Sequence, residues 1–455
     1  MVVLHLDKIF NPKSIAITDV SNENTSIGYI TLKNLIDSGF EGDIYPLSSN
    51  EKEILGRKAY NSIKDIPKNV DLAIITAPAA AVPEIVEECG QSGIKGIIIM
   101  SKGFKDSSAE DKKLRNRLLE IKRKYALRIL GPSSLGVMRP SLKLNATLIP
   151  KMPKPGKIAF ITQSAALGSA SLDWAIHENI GFSNFVSIGA MIDVDFADLI
   201  DYFGTDPETR SILMYMENVT DARKFMSAAR HFARTKPIIV VKAGKFGRAK
   251  ATGPHIGSFI VEDEIYNAVF KRAGIVRVEE IADLFNCAEV LEVQPLPEGP
   301  NLAIITNAKG PGIMAADFLI ANGGKLAEFS QQTISFLEGI LPNPENSRNP
   351  IDLMEDAGAD RYGAVLEACL RDEKVNGVLI IYASQPLSNP VEIAKTIIDV
   401  CKREGYRNKT VLTSFIGYGL VEEANKLLNE KGIPTHPTPE QAVKTYLYMY
   451  QYKRN

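Results

Sequence analysis

Two loops that ordinarily announce nucleotide chemistry are missing. No GxxxxGK[ST] segment occurs, so the backbone cradle and lysine of a P-loop are not available. No GxGxxG occurs either. The turn after the first predicted strand reads Thr18-Asp-Val-Ser-Asn-Glu-Asn-Thr-Ser-Ile-Gly28, with one late glycine and Asp19 where a pyrophosphate would have to approach. That argues against nicotinamide chemistry. A GxSxG elbow is also absent, which removes the usual setting of a nucleophilic serine. The four cysteines, Cys89, Cys287, Cys369 and Cys401, form no CxxC pair; they read as small buried hydrophobes rather than metal ligands or a disulfide frame. The 53 basic and 54 acidic residues nearly cancel, so no global field draws the chain to nucleic acid or an anionic membrane. No apolar run approaches the roughly 20 residues of a membrane span. The opening MVVLHLDKIFNPKS lacks the basic stretch and long apolar run of a secretion signal. A cytoplasmic chain, free of nucleic acid and membrane, is the expectation.

What is present is a repeated alternation of short apolar runs and amphipathic stretches. SIAIT, DIYPL, DLAIIT, GIIIM and RILG read as strands, with helix-length segments such as EDKKLRNRLLEIKRKYA between several of them. Continuous Val/Ile/Leu runs indicate strands covered on both faces, hence a mostly parallel sheet with helices outside. The pattern restarts after two proline-rich connectors, Pro150–Gly156 and Gln294–Pro300. The chain therefore reads as α/β, with doubly wound domains over 1–150, 151–297 and 298–455. Ligands of such sheets bind outside the carboxyl ends of the strands. In the first domain the loops placed there are 18–22, 47–50, 76–78 and 101–104.

The second domain carries three segments with chemical content. His255 lies in Gly244-Lys-Phe-Gly-Arg-Ala-Lys-Ala-Thr-Gly-Pro-His-Ile-Gly257, between a predicted strand and a predicted helix. Glycines, together with Lys242, Lys245, Arg248 and Lys250, would suit an imidazole that accepts a phosphoryl group near neutral pH. A lone loop histidine is far more often an ordinary surface residue. Glu217 ends the strand ILMYME, where a carboxylate could orient an imidazole or simply face solvent. Gln163-Ser-Ala-Ala-Leu-Gly168 turns a strand into a helix, so its free N–H groups and dipole could hold an anion; Ser164 could equally be a plain N-cap.

The order of segments bears on these readings. LDKIFNPKSIAI, GDIYPL, EILGRKAY, VPEIVEECGQSGIKGIIIMSKGF, YALRILGPSSLG, KIAFITQSAALG, IGFSNFVSIG, DVDFADL, PHIG, ITNAKGPGIMAAD and RNPIDL follow one another along nearly the whole chain. This series resembles the alpha, CoA-binding subunit of ADP-forming acyl-CoA synthetases, relatives of succinyl-CoA synthetase. The resemblance implies a Rossmann-like CoA-binding domain followed by two flavodoxin-like ligase domains. It implies phosphoryl transfer through His255, oriented by Glu217, with phosphate held by Ser164, Ala165 and Gly257. It places coenzyme A or its thioester against Val20, Ser21, Asn22, Leu47, Pro78 and Ser101. It also implies ADP or ATP with Mg²⁺ on an ATP-grasp beta subunit, in an alpha2beta2 hetero-oligomer; no metal ligand is assigned to this chain. The chain departs from the family pattern at Asp19, Ser48, Ser133, Ala165, Ala190, Met191, Pro254 and Ile256, positions that bear on CoA affinity and acyl choice rather than on fold. A CoA-binding paralogue without catalysis, regulatory or scaffolding, is the alternative.

Overall fold

The structure, a computed structural model, describes residues 4–104, 108–244 and 263–455. The chain divides into two compact units, Met1–Leu284 and Phe285–Asn455. Besides a two-stranded ribbon, Glu53–Ile54 with Arg57–Lys58, the first unit holds two large sheets. In one, β1 (Ser14–Ile17), β2 (Asp43–Pro46), β3 (Leu72–Ile75), β4 (Gly96–Ile99) and β5 (Arg128–Leu130) run parallel in the order β2-β1-β3-β4-β5. Every residue of β1, β3 and β4 is buried, as continuous apolar runs require of strands covered on both faces.

The chain then crosses over. Strands β6 (Gly136–Arg139) and β7 (Leu144–Thr147) form a hairpin that joins the second sheet antiparallel to β9. That sheet is completed by β8 (Pro155–Thr162), β9 (Phe182–Ser187), β10 (Ser211–Met216), β11 (Ile238–Lys242) and β12 (Val276–Val278), in the order β12-β11-β10-β8-β9-β6-β7. Its five parallel strands repeat the arrangement of the first sheet: the chain's second strand lies on one side of its first, the third on the other. The second unit repeats it again. There β14 (Lys325–Leu326) and β15 (Ile351–Asp352) pair with one edge of β13 (Asn301–Thr306), and β16 (Gly377–Ala383) and β17 (Thr410–Ile416) follow on the other. Each arrangement leaves a crevice beside the first strand, where the direction of winding reverses.

The helices show local causes. Ser164 caps the helix Ala165–His177, Asp195 that over Phe196–Thr205, and Asp221 that over Ala222–Phe232. Each side chain accepts from an amide of the first turn, which satisfies one of the donors a helix start leaves over. The four cysteines are buried; burial pushes the Cys369 thiol up to about 12. Among the described residues no helix is long and apolar enough to cross a membrane.

In the second unit the backbone N–H of His436 donates to Thr413 at 2.9 Å, and its ring is buried with Nε2 unpartnered among the described residues. Burial lowers its pKa from 6.5 to about 4. The neutral ring is therefore the folded form, and the unfolded chain takes up the proton first as pH falls. Stability is undiminished above pH 6.5 and lost between there and about 4, at about 1.4 kcal/mol per pH unit. Thermal melting over this range should fall more steeply for the natural chain than for His436→Leu; equal slopes would contradict the assignment.

Candidate active site

The crevice of the first sheet is built by cross-strand hydrogen bonds just past the strand ends. Thr18, the residue after β1, accepts from the Thr76 amide at 3.2 Å through its hydroxyl, and its carbonyl accepts from the Thr76 hydroxyl at 2.5 Å. Ser101, after β4, donates its hydroxyl to the Ala77 carbonyl at 2.5 Å, and its own carbonyl accepts from the Ser133 amide at 3.1 Å. The turn between β1 and its helix is tight: a Cβ on Gly28 would stand 2.8 Å from the Asp19 carbonyl oxygen. The single late glycine thus lets the helix Ile27–Asp37 lie against the turn.

Six residues singled out from the sequence lie here in different circumstances. Ser21 is half-buried, and Asn22 and Pro78 are exposed beside the crevice. Ser101 is buried, with its hydroxyl committed as described. Val20 and Leu47 belong to the apolar core. Their amides are used within the sheet: Val20 donates to the Leu47 carbonyl at 2.9 Å and Leu47 to Ile17 at 2.7 Å. Asp19 is exposed and takes φ 55°, and Ser133 takes φ 58°. Both stand where the backbone needs the left-handed region that glycine and asparagine enter at least cost.

Residues past β5 connect this crevice to the second sheet. Segment Ile188–Val194 runs antiparallel to Ile129–Pro132: Val194 donates to Ile129 at 3.1 Å, Ile192 to Gly131 at 3.3 Å and Ala190 to Pro132 at 2.8 Å. Ile188 in turn donates to Thr162 at 2.9 Å, at the end of β8.

There the second crevice opens. Thr162 Oγ1 accepts from the Ser164 amide at 3.2 Å and donates to its carbonyl at 3.0 Å, folding the turn. Ser164 Oγ accepts from the Leu167 amide at 3.3 Å. A Cβ on Gly168 would meet the Thr162 methyl at 2.7 Å, so this glycine lets the helix start sit on the strand end. The Ala165 and Ala166 amides lie at an N-terminus whose dipole favours an anion.

Gln163 spans this crevice. Its Oε1 accepts from the Glu217 amide at 2.5 Å and the Asn218 amide at 3.0 Å, and its Nε2 donates to Asn218 Oδ1 at 3.0 Å. It thereby fixes the chain leaving β10 against the turn leaving β8. Glu217 is exposed. Beside it, in register with Met216, is Lys242 at the end of β11. That residue is buried, and its ammonium lies 4.4 Å from the Tyr266 ring centroid and donates to the Ala243 carbonyl at 2.5 Å. Burial lowers its pKa, aided by the Arg277 cation and opposed by Asp263 and Glu217.

His255 and Gly257, with Lys245, Arg248, Lys250, Pro254 and Ile256, lie outside the described residues. The described chain resumes at Asp263, whose carboxylate receives a bidentate pair from Arg277 at 2.6 and 2.9 Å.

The second unit reproduces the turn of the second sheet. Thr306 Oγ1 accepts from the Ala308 amide at 3.1 Å and donates to its carbonyl at 2.8 Å, and a Cβ on Gly312 would meet the Thr306 methyl at 2.8 Å. Asn307 exchanges two hydrogen bonds with Ala383, at 2.8 and 2.9 Å, as Gln163 does with Glu217 and Asn218. Sequence reasoning had not assigned the bridging roles of Gln163 and Asn307. The available signal was the shared pattern Thr-Gln/Asn at 162–163 and 306–307, with glycine at the same spacing behind it.

Comparison with known proteins identifies the scaffold. A CoA binding domain matches residues 13–140, a succinyl-CoA ligase like flavodoxin domain residues 155–291, and a ligase-CoA domain residues 302–455. The chain is 40% identical to the alpha subunit of ADP-forming acetate–CoA ligase I of Pyrococcus furiosus, over 99% of this chain and 98% of that one. The chain belongs to the ADP-forming acetate–CoA ligase family. An ADP-forming acetate–CoA ligase of Methanocaldococcus jannaschii is also 40% identical, over 98% of this chain but only 63% of its own length. The acetyl-coenzyme A synthetase 1 of Ca. Korarchaeum cryptofilum, solved in complex with phosphate and ADP, superposes with a TM-score of 0.90 at 34% identity, covering 99% and 97% of the two chains. The fold and the ligase class of this member of the family follow from these matches.

Gln163→Leu would leave the Glu217 and Asn218 amides without their acceptor. Urea unfolding should show a loss of about 1–2 kcal/mol, with Gln163→Glu retaining part of it; an unchanged midpoint for the leucine variant would contradict the bridge.

Proposed function

We propose that this chain is the acyl-CoA-binding, phosphoryl-carrying subunit of an ADP-forming acyl-CoA synthetase, converting acyl-CoA, ADP and phosphate reversibly into acid, ATP and CoA. The observation that carries the reading is the crevice between β8 and β10, where Gln163 ties an open helix N-terminus to Glu217. The segment bearing His255 leaves the neighbouring strand β11 immediately after Lys242–Gly244.

In this scheme the thioester lies across the crevice of the first sheet, against Ser21, Asn22, Pro78 and the strand-end backbone. Its acyl carbon reaches the second crevice, where Ser164, Ala165 and Gly257 hold inorganic phosphate. A phosphate oxygen attacks the acyl carbon, the C–S bond breaks and CoA leaves as the thiol, giving an acyl phosphate. A neutral ring nitrogen of His255 attacks phosphorus, and the carboxylate departs. Glu217 accepts a hydrogen bond from the other ring N–H, which fixes the tautomer and stabilises the cationic phosphoimidazole. Lys242, close to Glu217, adds positive potential where phosphoryl oxygens gather. ADP then takes the phosphoryl group and regenerates the imidazole.

The nucleotide site belongs in this reading to a separate ATP-grasp beta subunit, in an alpha2beta2 assembly. The extra length of the Methanocaldococcus jannaschii relative and the subunit name of the Pyrococcus furiosus one support that division. Mg²⁺ would be held there with the nucleotide. The functional domains are proposed as 1–150 for CoA, 151–297 for the phosphohistidine segment and 298–455 for the second ligase domain.

The test is incubation of the chain with acyl-CoA and phosphate, and separately with Mg·ATP and the partner subunit. An acid-labile, alkali-stable phosphoryl adduct, read by mass spectrometry, is expected in both and lost in His255→Ala. Absence of the adduct with a competent partner present would refute the catalytic reading and leave CoA binding without turnover.

A further inference from the structure

The motif Asp193-Val-Asp195-Phe-Ala-Asp198 builds a charge cluster that the reaction above does not use. Asp193 is 4% exposed at its side chain. Its Oδ2 accepts from the Ile129 amide at 2.8 Å and Arg128 Nε at 3.1 Å, and its Oδ1 from Lys122 Nζ at 2.8 Å. Arg128 reaches on to Asp198 at 3.0 Å. Lys224 donates to Asp195 at 3.0 Å and Asp198 at 2.7 Å. The Thr220 hydroxyl donates to Asp195 at 3.3 Å. Three carboxylates thus meet three cations, and Asp195 and Asp198 also cap each other's amides.

The elements it joins matter more than its charge balance. Lys122 and Arg128 come from the helix before β5 and from β5 itself, in the first sheet. Asp193 lies near the end of the segment Ile188–Val194 that bridges the two crevices. Thr220 lies three residues beyond Glu217, and Lys224 opens the next helix. Cations on both sides therefore hold one short acidic segment, so the position of the Glu217 loop is set relative to the crevice of the first sheet. Buried pairs of this kind add little net stability compared with apolar packing, but they permit one geometry and penalise others.

Building on the phosphohistidine reading, we infer that the Asp193–Asp198 cluster is a positioning device for the acyl-transfer half of the reaction: it holds the thioester crevice and the Glu217–Ser164 crevice at the separation that lets bound phosphate reach the acyl carbon. The half-reaction between ATP and His255, which does not span the two crevices, does not depend on it.

Asp193→Asn and Lys224→Met separate the halves. With partner subunit present, the rate of adduct formation from acyl-CoA and phosphate should fall about tenfold or more, as small misplacements of reacting groups do. Adduct formation from Mg·ATP should stay within about twofold, and the dissociation constant of CoA within about threefold. Lys224→Arg, which keeps the charge, should recover most of the lost rate. If Asp193→Asn does not fold, Lys224→Met and Thr220→Val, at the rim of the cluster, carry the same expectation. Equal loss in both half-reactions, or no loss in either, would overturn the inference. A natural chain that forms the adduct from neither side would refute the phosphohistidine reading and this inference with it.

Discussion

The structure depends on a constraint met three times: the residue just past the strand where the winding reverses must hold the end of the parallel strand beside it. Thr18 does so through Thr76, Gln163 through Glu217 and Asn218, and Asn307 through Ala383. At these points the two strands diverge toward helices on opposite faces, and the sheet ladder has no more bonds to offer. Unpaired amides there would cost what any desolvated donor costs. A side chain that answers them closes the floor of the crevice and leaves its mouth open. In the proposed reading, Ser164, Ala165 and Glu217 are the groups that face the ligand above that floor.

Several residues near the crevices also take backbone conformations that non-glycine residues usually avoid. Asp19, Phe104, Ser133 and Met191 take positive φ at strand ends of the first unit, and Met354 does so past β15 in the second. A non-glycine residue pays about 1–2 kcal/mol for that region. Met191 is held there by the flanking bonds of Ala190 and Ile192 to the chain at Gly131–Pro132. The backbone of the bridge between crevices is therefore fixed by contacts on both sides of the residue that would otherwise relax it.

Much of the fold was legible because its signal is local. Runs such as LAII and GIII are buried on both faces, and that is why they are unbroken by polar residues. The restarts after proline-rich connectors correspond to new first strands at Pro155 and Asn301. The hairpin Gly136–Thr147 was not legible as part of the second sheet, because pairing across a crossover leaves no periodic mark. Ser164 and Glu217 stand just past strand ends, as the apolar runs before them imply. Val20 and Leu47 illustrate the limit: position put them beside the crevice, whereas apolarity put their side chains into the core. The roles of Gln163, Asn307 and the Asp193–Asp198 cluster depend on partners 25 to 76 residues away, which spacing alone does not reveal.

The proposed division of labour assigns coenzyme A to this chain and the nucleotide to another subunit. Calorimetric titration of the isolated chain measures it directly. The account predicts that CoA binds with one site per chain and that Mg·ADP gives no heat until the partner is added. Mg·ADP binding to the isolated chain, or no CoA binding in the presence of phosphate, would contradict it.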